Sequence, residues 1–279
     1  MVISSTENNK YKYILKLKSK KYRDKENSFI IESRKLVEEA ISSADIDFIF
    51  TNEDSEDYDT DLEKITFSNN LFNKLSGLVN SDGIAAVVNK PSQKPISSKR
   101  VLLLDQLNDP GNMGTIIRSA EAFGFRDIIT TPGTCDVYNE KTLRASMGSI
   151  FRLNILKMNY EKLVDLKKSY KLLAADMSGY DINKCDIKDD LILVIGNEAN
   201  GLSKTTRDMT DTFVKIPMQG EIESLNAAIA ASIIMNKLSL WFGLTIAIHY
   251  QQQGMMEALS VTVIGFTDEA WYENSNWYG

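Results

Sequence analysis

The chain has 279 residues, of which 43% are apolar and 25% charged, which excludes a disordered chain and suits about two domains. The 38 Asp and Glu outnumber the 32 Lys and Arg, and the net charge of −6, taken alone, argues against a nucleic-acid partner. Two cysteines exclude a disulfide scaffold and favour a reducing compartment, so we expect a cytoplasmic protein. The single histidine, His249, excludes most zinc sites and His-based catalysis, and we expect no metal.

Positive charge is concentrated near the N-terminus, where no secretory signal pattern is present. Residues 10–25 carry a local charge of +7, whereas residues 45–63 hold nine Asp and Glu and no Lys or Arg. We interpret residues 1–25 as a basic N-terminal arm that contacts nucleic-acid phosphates, with a solvated helix face as the alternative. The candidate contacts are Lys10, Lys12, Lys16, Lys18, Lys20, Lys21, Arg23 and Lys25.

Alternating strand and helix patterns predict a small α/β domain over residues 26–90. A helix over 33–43 has a good N-cap in Ser33 and an apolar face. The other predicted elements are strands over 28–31, 47–51, 64–67 and 83–88 and a helix over 71–78. A Pro- and Ser-rich segment over 91–98 then predicts a linker between two domains.

The second domain begins with a continuously apolar run over 101–104, which predicts a strand buried on both faces of a parallel sheet. A loop follows, and then a helix with apolar residues at helical spacing, whose capped start is marked by Asp109 and Pro110. Arg118 lies on the polar face of this helix, where ligands lie in open α/β sheets; a plain surface arginine is the alternative.

Two later loops also carry chemical signals. The apolar run 191–195 leads into GNEANGLS, which nearly matches the phosphate loop GxxxxGK[ST] but has Leu202 in place of the lysine. Glu198 inside this loop would repel phosphate and suits a cationic or donor-rich cofactor. The third loop, 214–226, contains a proline and a glycine that force irregular backbone, and Ser224 is the expected N-cap of an Ala-rich helix.

The apolar stretch over 225–248 is interrupted by Asn226, Asn236 and Lys237, so we predict a buried helix and no membrane span. The 42 residues after Lys237 contain no Lys or Arg and all three Trp. We interpret residues 241–279 as a C-terminal appendage without a chemical motif.

Three segments occur in order within residues 101–236: NDPGNMGTIIRSAEAFG, IGNEANGLS and IPMQGEIESLNAAIAA. Together they resemble the signature motifs of the SpoU-type (TrmH-like) RNA ribose 2′-O-methyltransferases of the SPOUT superfamily. The segment YRDKENSFIIESRKLVEEAI is similar to the start of the ribosomal-protein-L30e-like substrate domain of these enzymes. The resemblance implies a small L30e-like α/β domain followed by a SPOUT α/β domain over 99–240, with a mostly parallel sheet and a C-terminal trefoil knot.

The same resemblance implies a homodimer that binds S-adenosylmethionine and methylates RNA, with 23S rRNA favoured. A tRNA methyltransferase and a non-catalytic RNA-binding protein are the alternatives. The implied catalytic residues are Arg118, Asn112, Glu198, Ser224 and Asn226. The implied cofactor-binding residues are Ile195, Gly196, Asn197, Gly201, Ile216, Met218, Leu225 and Asn226.

The implied reaction needs positioning and no metal, because a sulfonium methyl is already activated. With no histidine nearby, Arg118 is the leading catalytic residue, either as a base or as an electrostatic stabiliser of the alkoxide or the adjacent phosphate. We expect Asn112 to orient Arg118 or the ribose, and Glu198 to hold the motif loops together. Ser224 and Asn226 are expected to line the reaction centre.

Overall fold

The computed structural model describes residues 2–55, 58, 60–185, 190–222 and 224–252. The strands in chain order are β1 (Val2–Ile3), β2 (Ser28–Glu32), β3 (Ile46–Asn52), β4 (Lys64–Phe67), β5 (Ile84–Asn89), β6 (Arg100–Leu104), β7 (Asp127–Thr130), β8 (Asn154–Lys157), β9 (Lys171–Asp181), β10 (Leu191–Ile195) and β11 (Thr212–Lys215). The α-helices are α1 (Asn9–Leu17), α2 (Lys20–Glu26), α3 (Arg34–Ser43), α4 (Asn69–Leu75), α5 (Pro110–Ala122), α6 (Glu140–Ser146), α7 (Tyr160–Leu166), α8 (Lys204–Met209) and α9 (Ala227–Gln252).

The first sheet has the strand order β1-β4-β3-β5-β2 and mixes parallel and antiparallel pairs. Its side chains alternate between two cores, as the two-residue period of a strand requires. On β3, Phe48 and Phe50 face a core formed with α1 and α4, whereas Ile49 faces the core shared with the second domain. The predicted strands and the Ser33-capped helix are confirmed here, since Ser33 Oγ accepts the amide of Leu36.

The second sheet has the order β11-β9-β10-β6-β7-β8, and every strand pair in its described part is parallel. The central strands β6 and β10 are buried on both faces: Leu102 and Leu104 face the core shared with the first domain, while Val101 and Leu103 face a second core. This two-sided burial is the reason that the sequence of each central strand is continuously apolar. The loops after β6 and β10 therefore leave the same edge of the sheet side by side.

The two sheets meet across a common core rather than a flexible joint. The ring centroids of Phe29 and Tyr138 lie 4.6 Å apart. A buried ion pair joins Arg23 to Asp136, with Nη2 and Oδ2 separated by 2.6 Å. The segment 91–98 has irregular backbone, and its end is held by Asp127, whose Oδ2 accepts the amides of two serines in that segment. The chain up to Ser239 consequently packs as one compact unit.

The basic N-terminal residues belong to folded helices and not to a separate arm. Tyr11, Ile14 and Leu17 of α1 are buried in the first domain, which fixes the lysines of that helix on its outer face. Helix α2 follows directly and reaches the second domain through Arg23. The segment is therefore a folded part of the first domain, with most of its lysines on an exposed helix face.

Helix α9 begins at the end of the third motif and continues through Gln252, across the boundary predicted at residue 240. Up to Ser239 its buried side is apolar, with Ala231, Ile234 and Met235 in the core. No helix in the part of the chain that the structure describes is both long and apolar enough to cross a membrane. Residues 253–279, most of the predicted appendage, lie outside the described residues.

Candidate active site

Three loops that are distant in sequence are joined by a chain of side-chain hydrogen bonds. Nδ2 of Asn226 donates to Oδ1 of Asn112 over 2.9 Å, and Nδ2 of Asn112 donates to Oε1 of Glu198 over 3.0 Å. Glu198 also accepts the backbone amides of Asn108 and Asp109 at 3.1 and 3.0 Å. One residue from each of the three predicted motifs therefore takes part in a single network.

The position of Asn112 follows from the start of α5. Asp109 caps the helix through a 2.8 Å hydrogen bond from the Asn112 amide to Oδ1, and Pro110 occupies the first turn, as the sequence predicts. Gly114 lies where α5 crosses α6, and a Cβ there would come within 2.5 Å of the Thr142 carbonyl oxygen. The start of α5 is therefore fixed by the Asp109 cap and by the close packing of Gly114 against α6.

The carboxylate of Glu198 is held in its ionised form. Burial opposes ionisation, but hydrogen bonds from the Asn112 side chain and from nearby backbone amides outweigh it, so that the pKa of Glu198 is lowered. A carboxylate with a lowered pKa and its oxygens already occupied is a weak base. The geometry makes Glu198 a clamp between the first and second motifs.

The N-cap of α9 is Asn226 and not Ser224. Oδ1 of Asn226 accepts the amides of Ala228 and Ile229 at 2.9 and 3.3 Å. The expectation for Ser224 is wrong because Asn is an equally good cap, and here Asn226 also reaches Asn112 with its amide nitrogen. Ser224 is exposed and lies at the wall of the neighbouring cavity.

A cavity of about 520 Å³ lies beside this network, between the second and third motifs, the middle of β9 and the end of β10. The sequence-predicted cofactor residues that line it are Ile195, Gly196, Asn197, Gly201, Ile216, Met218, Leu225 and Asn226. Glu198 and Ser224 also line the cavity. Asn112 does not line it, but it forms hydrogen bonds to two residues that do, Glu198 and Asn226.

The second-motif loop is tightly folded at the cavity mouth. The backbones of Asn197 and Gly201 form a pair of hydrogen bonds at 2.8 and 3.0 Å. The side chain of Asn197 closes the turn by accepting the amides of Ala199 and Asn200, and it donates to the carbonyl of Gln106 over 2.8 Å. Asn197 therefore shapes the loop as well as lining the cavity.

Asp105 is a buried carboxylate that connects the same loops, and the sequence did not mark it as a site residue. Oδ2 of Asp105, at the end of β6, accepts the amide of Ser203 at 2.8 Å. Its Oδ1 accepts the hydroxyls of Thr131 and Tyr160 at 3.1 and 3.0 Å. An acidic residue directly after a buried apolar strand is the signal that could have identified Asp105, because a buried charge needs several hydrogen-bond donors.

Arg118 lies outside the cavity. Its side chain is exposed on α5, and it forms no ion pair with any described residue. The next residue, Ser119, contacts Ser232 of α9 through hydroxyl oxygens 2.7 Å apart. The structure thus brings together four of the five predicted catalytic residues and leaves Arg118 on the adjoining surface.

The predicted RNA-contacting residues divide into two groups. Arg23 is buried, and its guanidinium donates to Asp136 and to the carbonyls of Leu17 and Lys18, so it is a structural residue and not a surface contact. Lys10 and Lys18 are half-buried, Lys10 in an ion pair with Glu63 and Lys18 on backbone carbonyls. The exposed members of the group are Lys12, Lys16, Lys20, Lys21 and Lys25.

Comparison with known proteins agrees with this architecture. The family model for the SpoU rRNA Methylase family matches residues 99–236, and that for the MRM3-like substrate binding domain matches residues 8–86. The chain is 34% identical over 243 residues to the 23S rRNA (guanosine(2553)-2′-O)-methyltransferase RlmP of Bacillus subtilis, across 85% of this chain and 98% of that protein. It is 37% identical to the 23S rRNA (uridine(2479)-2′-O)-methyltransferase of Streptomyces viridochromogenes, across 48% of this chain and 50% of that protein.

Solved structures give the same result. The SpoU methyltransferase AviRb from Streptomyces viridochromogenes, in complex with AdoMet, superposes with a TM-score of 0.77 at 26% identity, covering 84% of this chain and 97% of that one. An AdoMet-bound rRNA methyltransferase from Sinorhizobium meliloti superposes with a TM-score of 0.75 at 26% identity, covering 85% and 96%. On the strength of its domains and of a relative that it matches almost end to end, this chain belongs to the SpoU rRNA methylase family.

Proposed function

We propose that this protein transfers a methyl group from S-adenosylmethionine to a ribose 2′-hydroxyl of 23S ribosomal RNA. The observation that carries the proposal is the hydrogen-bond chain from Asn226 through Asn112 to Glu198, which lies at the edge of a cavity of cofactor size. The relatives that act on 23S rRNA support the choice of substrate, and the AdoMet complex of a structural neighbour supports the methyl donor.

The cavity fits S-adenosylmethionine in size and chemistry. Its volume of about 520 Å³ lies within the usual range for small-molecule sites. Apolar side chains of Ile195, Ile216 and Leu225 suit an adenine ring, and the carboxylate of Glu198 suits a cationic sulfonium. When bound, the cofactor supplies an activated methyl group.

The chain's own residues position the acceptor and neutralise charge. Ser224 and Asn226 line the cavity where the ribose hydroxyl must approach, and Glu198 holds Asn112 against Asn226. The methyl group passes from sulfur to the ribose 2′-oxygen, the hydroxyl proton goes to water, and the neutral thioether leaves. Glu198 is a positioning residue, because its lowered pKa makes it a poor acceptor for that proton.

Arg118 acts as an electrostatic stabiliser and not as the base. A guanidinium on an exposed helix face, with no acidic partner among the described residues, presents its full charge to the RNA. The Arg118 guanidinium pairs with the phosphate next to the target ribose. Its positive charge thereby stabilises the negative charge that develops on the acceptor oxygen. The exposed lysines of α1 and α2 add sequence-independent affinity for the RNA backbone.

The functional form is a cytoplasmic homodimer with a trefoil knot in the second domain. An apolar surface on α9, formed by Ile229 and Ile233, is exposed in the single chain and would be covered by a second copy. The chain runs from β11, at the edge of the sheet, to Asn226, which contacts Asn112 beyond the end of β6, and this return towards the centre of the sheet supports a knotted path. The two free thiols, Cys135 and Cys185, suit the cytoplasm.

Mapping of ribose 2′-O-methyl groups in total RNA, with and without the gene, tests the proposal. We expect one 23S rRNA methyl group to disappear with the gene and to return when the purified protein and S-adenosylmethionine are added. Loss of a tRNA methyl group instead would contradict the assigned substrate. An unchanged map together with no S-adenosylmethionine binding by calorimetry would favour a non-catalytic RNA-binding protein.

A further inference from the structure

A second cavity, of about 530 Å³, lies between the two domains and away from the cofactor cavity. Helix α2 and the segment 90–93 form one side, and the carboxyl ends of β7 and β8 form the other. Its lining is rich in hydroxyl, amide and ammonium groups, which is unlike the apolar lining of a site for a small drug-like molecule. We refer to it as the interdomain cleft.

The interdomain cleft is positively charged. Its carboxylates are already paired: Asp24 with Lys90 at 2.7 Å, and Asp136 with the buried guanidinium of Arg23 at 2.6 Å. Two further ammonium groups, those of Lys20 and Lys157, are exposed and form no ion pair with a described residue. These pairings leave a formal charge of +2, which two anionic groups could neutralise.

Lys20, Lys90 and Lys157 all stabilise the charge of the same carboxylate, that of Asp24. The pKa of Asp24 is lowered, chiefly by its hydrogen bond from Lys90, and Lys20 and Lys157 add attraction of the same sign. Lys20 and Lys157 therefore both lie near the Asp24 carboxylate, although they belong to different domains.

One wall of the cleft is hydrogen-bonded to the loop between β6 and the first motif. The amide of Cys135 donates to the carbonyl of Leu107, directly before the first motif, over 2.8 Å, and the amide of Gln106 donates to Thr131 Oγ1 over 3.0 Å. Burial, together with the negative charge of Glu198 in the active site, raises the pKa of the Cys135 thiol to about 11. These hydrogen bonds connect the cleft to the start of the first motif.

We propose that the interdomain cleft binds the sugar-phosphate backbone of a single RNA strand next to the methylated nucleotide. The inference rests on the proposed function for the identity of the strand and adds a contact surface that lies outside the three motifs. Lysines bind phosphates as point charges without reading the bases, so the cleft sets the position of the strand and not its sequence. Lys20 joins the cleft to the exposed lysines of α2, which extends the path over the first domain.

The test compares two double variants of equal charge. Lys20→Gln with Lys157→Gln removes the free ammonium groups of the cleft. Lys99→Gln with Lys171→Gln removes two exposed lysines at the amino ends of β6 and β9, the opposite edge of the second sheet. The probe is a short fluorescent oligouridylate, titrated at several salt concentrations, with S-adenosylmethionine binding and thermal unfolding measured for each protein.

We expect the cleft variant to lose about tenfold in RNA affinity at low salt, and its salt slope to fall by about 1.4, or about 0.7 for each phosphate contact. In methylation assays the KM for RNA rises while kcat and S-adenosylmethionine affinity stay unchanged. The control variant keeps the wild-type slope. Photocross-linking of 4-thiouridine-labelled RNA is expected to mark the peptide that contains residues 130–138.

Equal RNA affinity in the two double variants would overturn the proposal. Binding of inorganic phosphate in the cleft without competition with RNA would also overturn it, because that result indicates a small phosphorylated ligand. A wild-type protein that binds no RNA overturns both proposals. Cleft-dependent RNA binding without methyl transfer supports the cleft and contradicts only the proposed function.

Discussion

The side-chain amide of Asn226 donates to the side-chain oxygen of Asn112, although 114 positions separate the two residues. This bond joins the N-terminus of α9 to the first turn of α5, and Asn112 passes the connection on to Glu198. Because each amide both donates and accepts, neither side chain can rotate without losing a partner. The relative position of the three motif loops is therefore fixed at this point.

We predict strong coupling between Asn112 and Asn226 in catalysis. Replacing either residue by Ala is expected to lower kcat about a hundredfold, because a misplacement of the acceptor by about 1 Å has an effect of that size. The double variant should lose scarcely more than the single ones, since the same connection is broken in each. Methylation rates at saturating substrates provide the measurement, and Thr115→Ala on the same helix is the control.

The cofactor cavity depends on a glycine that has no room for a side chain. A Cβ at Gly196 would lie 2.6 Å from the carbonyl carbon of Gly201 and 2.8 Å from the amide of Leu202. We expect Gly196→Ala to weaken S-adenosylmethionine binding by about 1–3 kcal/mol, or about fivefold to 150-fold, because backbone must move to admit the methyl group. Calorimetry measures the affinity.

Gly220→Ala is the matched control, because a Cβ at that position meets no atom within 4 Å. Its affinity should equal that of the wild type. Unchanged binding by Gly196→Ala would show that the second-motif loop does not form the cavity wall described above.

Several of these elements could be predicted from sequence because their cause is local. The runs at 101–104 and 191–195 are apolar throughout since both faces of β6 and β10 are covered, and the start of α5 follows from Asp109 and Pro110. The cap of α9 depends on a distant contact: Ser224 and Asn226 are both good caps, and the hydrogen bond to Asn112 decides between them.

The long-range contacts could not be derived from local pattern. Arg23 stands in a basic run that predicts a solvated surface, yet it is buried because Asp136, far along the chain, meets it at the domain boundary. The donors to Asp105 come from three other segments, so its role becomes visible only in three dimensions. The joint function of the three motifs was available through family resemblance and not through spacing.

Glu198 should make part of the protein's stability dependent on pH. Its pKa in the folded protein is below the ordinary value of 4.5, so its contribution is fully present above that value and is lost as the pH falls through the folded pKa. We expect wild-type thermal stability and S-adenosylmethionine affinity to decline between about pH 5 and 3 more steeply than those of Glu198→Gln.

Other carboxylates titrate in the same range, including Asp109 and Asp127, whose pKa values are also lowered. The difference between the wild type and Glu198→Gln is therefore the quantity to measure. Parallel curves for the two proteins would show that Glu198 is not the clamp between the motifs.

Arg118 is expected to affect the chemical step without affecting cofactor binding. Removal of one electrostatic stabiliser of a transition state lowers rates about 10²–10³-fold, and we expect a loss of this size for Arg118→Ala. S-adenosylmethionine affinity should not change, because the side chain lies outside the cavity. Arg126→Ala, another exposed arginine of the second domain, is the control. Near-normal methylation by Arg118→Ala with RNA still bound would remove Arg118 from the site.

The ion pair of Arg23 and Asp136 is expected to hold the two domains in register. The two side chains are only 7% and 12% exposed, and breaking a buried pair by removing one partner destabilises a protein by about 3–5 kcal/mol. Arg23→Met and Asp136→Asn should each lower the free energy of unfolding by this amount, because each leaves a buried group without its partner. The double variant should lose less than the sum of the two, since no unpaired charge remains.

Chemical denaturation measures these changes, and Lys168→Met, which breaks an exposed pair with Asp165, is the control that should leave the midpoint unchanged.

RNA binding by Arg23→Met and Asp136→Asn shows whether Arg23 holds the two domains together or contacts the RNA directly. If Arg23 served the RNA directly, Arg23→Met would weaken RNA binding while Asp136→Asn, which removes a negative charge, would strengthen it. The structure predicts losses of the same sign in both, because each substitution loosens the joint that carries the interdomain cleft.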